Sequence, residues 1–141
     1  MEKEFVSYEQ ALALKELGFD EPCFGYYEPN GELDYIENHI LKDFPYLAKN
    51  SEWQDLVAAP TFSQAFRWFR EKHDKYGVVN IDLSNNLKDK IFVYMVEDKL
   101  GYGNNLWVVY NRIIDRSEEY NTYEEAELAC LDKLIELVKT K

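Results

Sequence analysis

The sequence predicts an α+β fold: an antiparallel three-stranded sheet in an α-β-β-β-α unit, with an N-terminal helix and hairpin packed against it. Three observations carry this. One helix-opening pattern, [ST]-[FY]-x-[EQ]-A, stands at residues 7–11, 61–65 and 122–126. Alternating and β-branched runs fill the interval between the second and third of these openings. Upstream, Pro29-Asn30-Gly31 separates two short apolar runs, as a hairpin turn does.

Each helix opening is a capping box. In Ser7-Tyr8-Glu9-Gln10 the Ser hydroxyl can accept the backbone N–H three residues on, while Gln10 reaches back to the cap. Leu12, Leu14 and Leu17 follow, and Gly18 supplies a left-handed stop after which Phe19 can fold back on Leu14. Thr61-Phe62-Ser63-Gln64 opens the second helix. Its stripe of Phe62, Ala65, Phe66, Phe69 and Tyr76 predicts a helix that Gly77 ends. Thr122-Tyr123-Glu124-Glu125 opens the third, whose apolar face holds Ala126, Cys130, Leu131, Leu134, Ile135, Leu137 and Val138. The three openings share capping physics and nothing beyond their fifth residue, so they do not indicate a repeat.

The strands announce themselves by period and composition. Val78 to Leu83 alternates, Ser84-Asn85-Asn86 is turn chemistry, and Ile91 to Val96 is a β-branched and aromatic run. Gly101-Tyr102-Gly103-Asn104-Asn105 predicts a loop, and Leu106 to Ile114 a last strand. Local connections in this order favour antiparallel pairing with both flanking helices on one face. Cys23 to Tyr27 and Leu33 to Ile36 form the upstream hairpin. Ser51-Glu52-Trp53-Gln54 is suited to cap a short helix before Pro60, within a stretch expected to wrap the domain. At 141 residues, with no linker composition, a single domain is expected. It comprises an acidic helix, hairpin and wrap at 1–59 and the α-β-β-β-α unit at 60–141.

Charge is uneven. The net value is −11, and residues 1–59 alone hold thirteen acids and four bases. That field opposes nucleic-acid backbones and anionic membranes. Hydrophobic residues make up 46% of the chain and aromatic residues 16%, including eleven tyrosines. Those rings serve either a core rim or a contact surface. The opening residues contain no signal-peptide pattern, and no apolar run reaches membrane-spanning length. Two cysteines, Cys23 and Cys130, suit a reduced interior; a cytoplasmic location is expected.

Catalytic grammar is nearly absent. His39 and His73 have no Cys or His at zinc spacing, and neither a nucleophile elbow nor a Walker loop occurs. Gly101-x-Gly103 leads into a strand, whereas phosphate loops lead into a helix N-terminus. Glu32 and Asp34 share a face if their segment is a strand, and Glu118-Glu119 precede the third helix; a solvated acidic surface accounts for both. Arg67, Arg70, Lys72 and Lys75 interleave with Phe66, Trp68 and Phe69, a combination able to grip single-stranded nucleic acid. Glu71 and Asp74 dilute that charge. The element order is similar to that of the double-stranded-RNA-binding fold, which sets lysines against phosphate at the start of its second helix. Here Glu124, Glu125 and Glu127 occupy that start and oppose phosphate.

Three blocks resemble a known family. K-E-L-G-F-D-E-P-C-F-G-Y-Y (15–27), A-P-T-F-S-Q-A-F-R-W-F-R-E-K (59–72) and T-Y-E-E-A-E-L-A-C-L-D-K-L-I-E-L-V-K (122–139) cover about a third of the chain. They are similar to small uncharacterised phage- and prophage-associated proteins of the Bacteroides group. The resemblance implies a mobile-element context and carries over no activity, cofactor or catalytic residue.

These readings converge on a non-enzymatic intracellular interaction protein that binds a host or phage protein through an acidic, Tyr-rich surface. Tyr26, Tyr27, Tyr35, Trp53, Arg67 and Arg70 are its candidate binding residues. No cofactor, metal or membrane contact is expected. One alternative is a small enzyme whose site gathers Cys23, His39 and His73; another is a nucleic-acid binder working through the helix at 67–75.

Overall fold

The computed structural model describes residues 2–36, 47–82, 91–102 and 109–140, with the backbone alone for 99–102 and 109–112. His39, the Ser84-Asn85-Asn86 turn, Gly103 to Val108 and Leu83 lie outside the described residues. Within the described residues the chain is α+β, with three α-helices and two three-stranded antiparallel sheets. It divides into two compact units, Met1–Ala65 and Phe66–Lys141.

In the first unit, helix α1 (Tyr8–Glu16) begins with the expected box: the Gln10 amide donates to Ser7 Oγ at 3.2 Å and Ser7 N–H donates to Gln10 Oε1 at 3.1 Å. Such a cap is worth about 1 kcal/mol. The exit is a Schellman turn. Gly18 takes φ +90°, Gly18 N–H donates to the Lys15 carbonyl, and Phe19 N–H donates to the Leu14 carbonyl. Phe19 and Leu14 are both fully buried, so the turn also closes an apolar contact.

Strands β1 (Gly25–Tyr27) and β2 (Leu33–Tyr35) form the expected hairpin, with Tyr26 opposite Asp34. The Glu28 carbonyl accepts the Gly31 N–H, and Gly31 sits at φ +84°, the left-handed position that closes such a loop. The stretch before Pro60 departs from expectation. Ser51-Glu52-Trp53-Gln54 caps no helix: residues 50–55 turn, and Val57–Ala59 join the sheet as β3, giving the order β2-β1-β3. Three residues are too few for a periodic signal, and their pairing is with β1, some thirty residues upstream.

Asn50 makes this connection rigid. Its Nδ2 donates to the Phe19 carbonyl at 2.8 Å and its Oδ1 accepts the Ala58 N–H at 3.0 Å. One short side chain thus ties the α1 exit to β3.

Helix α2 (Phe62–His73) opens with the Thr61–Gln64 box, at 3.2 and 3.3 Å. It stops four residues before Gly77. Asp74 takes the left-handed turn instead, at φ 52°, and strand β4 (Lys75–Asp82) starts at once. Tyr76 therefore belongs to the strand and not to the helical stripe. Asp is one of the few residues that enter this region at modest cost, so the stop was available without glycine.

In the second unit, β4, β5 (Ile91–Tyr102) and β6 (Val109–Arg116) form the predicted antiparallel sheet in sequential order. Gly101 and Tyr102, expected to open a loop, belong instead to β5, which runs through Tyr102. Two register shifts, at Val96/Glu97 and Lys99/Gly101, accommodate its length against β6. Helix α3 (Tyr123–Lys139) opens with the Thr122–Glu125 box and packs Cys130, Leu131 and Leu134, all fully buried, on the sheet.

Gly77 has a different task from the one its position suggests. A Cβ there would lie 2.8 Å from Cys130 Sγ and 2.9 Å from both Leu134 Cδ1 and Phe66 Cε1. Side chains from both flanking helices thus meet over one strand glycine, on one face of the sheet. Strand glycines often mark such close approaches.

Candidate functional site

Alternation in β1 sends neighbouring tyrosines to opposite faces, and this decides which of them a partner could reach. The face carrying Gly25, Tyr27 and Tyr35 looks inward. A Cβ at Gly25 would meet the Phe5 ring at 2.6 Å. The Tyr27 hydroxyl donates to the Val6 carbonyl at 2.6 Å, and its ring packs edge-on to Tyr8 at 5.4 Å. Burial, followed by the charges of Glu9 and Glu2, raises the Tyr27 phenol above its ordinary value. Tyr35 is half-buried and stacked on Phe5. Tyr27 is core and offers no surface to a partner, while half-buried Tyr35 stands on the opposite face of the hairpin from Tyr26.

The opposite face carries Phe24, Tyr26 and Glu28 on β1 and its continuation, across from Ile36, Asp34 and Glu32. The Ile36 N–H donates to the Phe24 carbonyl at 2.9 Å and the Glu28 N–H to the Glu32 carbonyl at 3.0 Å, which extends the ladder one row beyond each end. Phe24 is 52% exposed. The Tyr26 ring meets Trp53 edge to face at 5.4 Å, and both are half-buried. Such a pair contributes about 0.5–1.5 kcal/mol beyond burial and holds both rings in place.

Trp53 is fixed from below by its turn. Its N–H donates to the Lys49 carbonyl at 3.0 Å, and the Ser51 N–H donates to Asp20 Oδ1 at 2.7 Å. Hydrogen bonds from Ser51 hold the Asp20 carboxyl below its ordinary range, with a smaller contribution from Lys49.

Asp34 organises the acidic side. Its Oδ2 accepts the Tyr26 hydroxyl at 3.0 Å and its Oδ1 accepts the Tyr35 N–H at 2.8 Å. Tyr26 is raised above its ordinary value by burial first, then by the Asp34 hydrogen bond, then by the charges of Asp34 and Glu28. Glu32 is exposed and accepts the Asn30 side-chain amide at 3.0 Å. The feature is a fixed aromatic corner, open on one side to an exposed Phe and on the other to carboxylates.

The remaining candidates separate. Arg67, Arg70 and Lys72 lie exposed on α2, but Trp68 is 4% exposed and Phe69 fully buried, so neither of these two rings can stack on a base, and Phe66 is half-buried against the sheet. Lys75 leaves the basic face entirely. It is 5% exposed, with Nζ 2.7 Å from Asp98 Oδ1, its directly paired residue on β5.

Cys23 is fully buried in the first unit, and burial, followed by Glu21, pushes its thiol up to about 12. Cys130, fully buried in the second, is pushed to about 12 by burial first. Neither is a poised nucleophile. The His73 ring packs against Trp68 and Phe69 at 4.7 and 5.7 Å. Glu118, Glu119, Glu124 and Glu125 are exposed. Among the described residues no group of three or more His, Cys, Asp and Glu is placed to hold a metal ion, and no helix is long and apolar enough to cross a membrane.

Sequence reasoning named Tyr26 and Trp53 but not Phe24 or Glu28. The alternation 24, 26, 28 was the available signal, once the strand containing Tyr26 was assigned. No family model, curated protein or solved structure matches the chain.

Proposed function

We propose that this protein is a cytoplasmic, non-enzymatic binding module that holds a protein partner on the Phe24–Tyr26–Trp53 face. The observation that carries this is a half-exposed aromatic pair, fixed by hydrogen-bonded turns and continuous with a 52% exposed Phe. Interface centres are enriched in Tyr, Trp and Phe, and rings already locked in place lose little entropy on binding. Asp34, Glu28 and Glu32 bring the acidity of residues 1–59 to the same face, which selects a basic partner surface and speeds its approach. A host or phage protein is the partner class proposed, in keeping with the mobile-element context that the family resemblance implies.

Affinity capture tests this when wild type is compared with Phe24→Ser/Trp53→Ala and with Arg70→Glu as a surface control. A partner retained by wild type and the control, but lost by the double variant, supports the reading. Identical capture by all three proteins refutes it.

A further inference from the structure

The face has an order, and the order defines what fits it. Three rows cross β1 and β2: Phe24 with Ile36, Tyr26 with Asp34, and Glu28 with Glu32. Same-face rows of a strand stand about 6.7 Å apart, twice the rise per residue. The first row is apolar, with Phe24 exposed. In the second, Trp53 adjoins Tyr26 and the Asp34 carboxylate holds the Tyr26 hydroxyl. The third is two carboxylates, one of them accepting from Asn30. From one end to the other the surface passes from apolar, through aromatic and acidic, to purely acidic.

Resting on the reading above, we propose that the occupant is an extended peptide segment with an apolar side chain and two basic side chains at every second residue. The apolar side chain lies on Phe24 and Ile36. The first cation sits on the exposed side of the Tyr26–Trp53 corner against Asp34, where ring quadrupole and carboxylate act together. The second meets Glu28 and Glu32. An extended partner presents alternate side chains at the same spacing as the rows, so each row takes one. A helical partner would instead carry its apolar and basic residues three or four positions apart in sequence, about 4.5–6 Å along its axis, so spacing at every second residue is the mark of the extended form.

Asp34 faces Tyr26 across the hairpin and Glu28 follows it on the same face, so two carboxylates border the place where the first cation would sit. Lys49, the base nearest Trp53 in sequence, lies 3.9 Å from Glu52 in an ion pair of its own.

The test uses synthetic peptides and the full chain, followed by Trp fluorescence at low ionic strength. Two probes carry Lys, Arg and Leu at alternate positions among Gly, one in each chain direction. A third carries the same three residues contiguously. A fourth replaces Lys and Arg by Gln at alternate positions. One spaced basic peptide should bind at least ~5-fold more tightly than the contiguous one, and ~10-fold more tightly than the neutral one.

Asp34→Asn should lower that affinity about 5-fold, and Trp53→Phe should remove the fluorescence response. Equal binding of spaced and contiguous peptides overturns the row order, and equal binding of the neutral peptide overturns the cation seats. If no peptide binds while captured partner still depends on Phe24 and Trp53, this inference falls and the binding-module reading stands. If peptides bind and capture is indifferent to those residues, the module reading falls instead.

Discussion

Replacing Gly77 by Ala should destabilise the protein, against the usual benefit of removing a glycine. Gly→Ala in a strand ordinarily gains about 0.5–1 kcal/mol through the unfolded chain. Here the added Cβ would stand 2.8 Å from Cys130 Sγ and 2.9 Å from Leu134 Cδ1 and Phe66 Cε1. Ordinary carbon contacts begin near ~3.5 Å, so three side chains must each retreat by roughly 0.6 Å. Two of them, Cys130 and Leu134, are fully buried, where close packing leaves little room to retreat. Overpacking of that kind costs about 1–3 kcal/mol, which leaves a net loss of ~1–2 kcal/mol.

Urea titration of wild type and Gly77→Ala reads this directly as a lower midpoint at unchanged slope. Cys130→Ala in the same background should recover part of the loss, because it vacates the nearest position. The double variant should then deviate from additivity by ~0.5–1 kcal/mol. A Gly77→Ala protein as stable as wild type, or more so, would refute the close-packing argument and return Gly77 to the role of an ordinary strand glycine.

Tyr27→Phe should cost about 1–3 kcal/mol in the same urea assay, because it removes the buried donor to the Val6 carbonyl at 2.6 Å; an unchanged midpoint would place that hydroxyl in water. Both thiols should resist an alkylating or disulfide reagent near pH 8 in the native state, since values near 12 leave almost no thiolate, and both should react on unfolding. Fast labelling of the folded protein would contradict their placement. Asp20 supplies a pH test. Its folded value is below the ordinary 3.8, so its contribution is present above the ordinary value and is lost as pH falls through the folded one. The stability difference between wild type and Asp20→Asn should therefore be constant near neutrality and shrink below pH ~4; a difference that grows on acidification has the wrong sign.

Local chemistry was readable in the sequence, and contacts distant in sequence were not. Ser7–Gln10, Thr61–Gln64 and Thr122–Glu125 form their boxes because each needs only residues three apart. Gly18 and Phe19 close α1 for the same reason. Gly77 misled because glycine serves both as a helix stop and as a point of close approach, and only Phe66, Cys130 and Leu134 decide between them. Val57–Ala59 is a strand through its pairing with β1 and has no period of its own.

The site was half-legible. Tyr26 and Tyr27 are adjacent and chemically alike, and composition cannot say that one faces Trp53 while the other reaches Val6. Their separation comes from the strand's pleat together with the Phe5 ring over Gly25. Lys75 and Trp68 looked like surface chemistry until burial removed them.

Partners are expected to meet this protein on the Phe24–Tyr26–Trp53 face. Two-dimensional amide and indole NMR of the labelled full chain, titrated with the spaced basic peptides, tests it most directly. Shifts should concentrate at Phe24, Tyr26, Glu28, Asp34 and the Trp53 indole, and added salt should reduce them. Shifts centred on Arg67, Arg70 and Lys72 of α2, with the Trp53 indole unmoved, would contradict it.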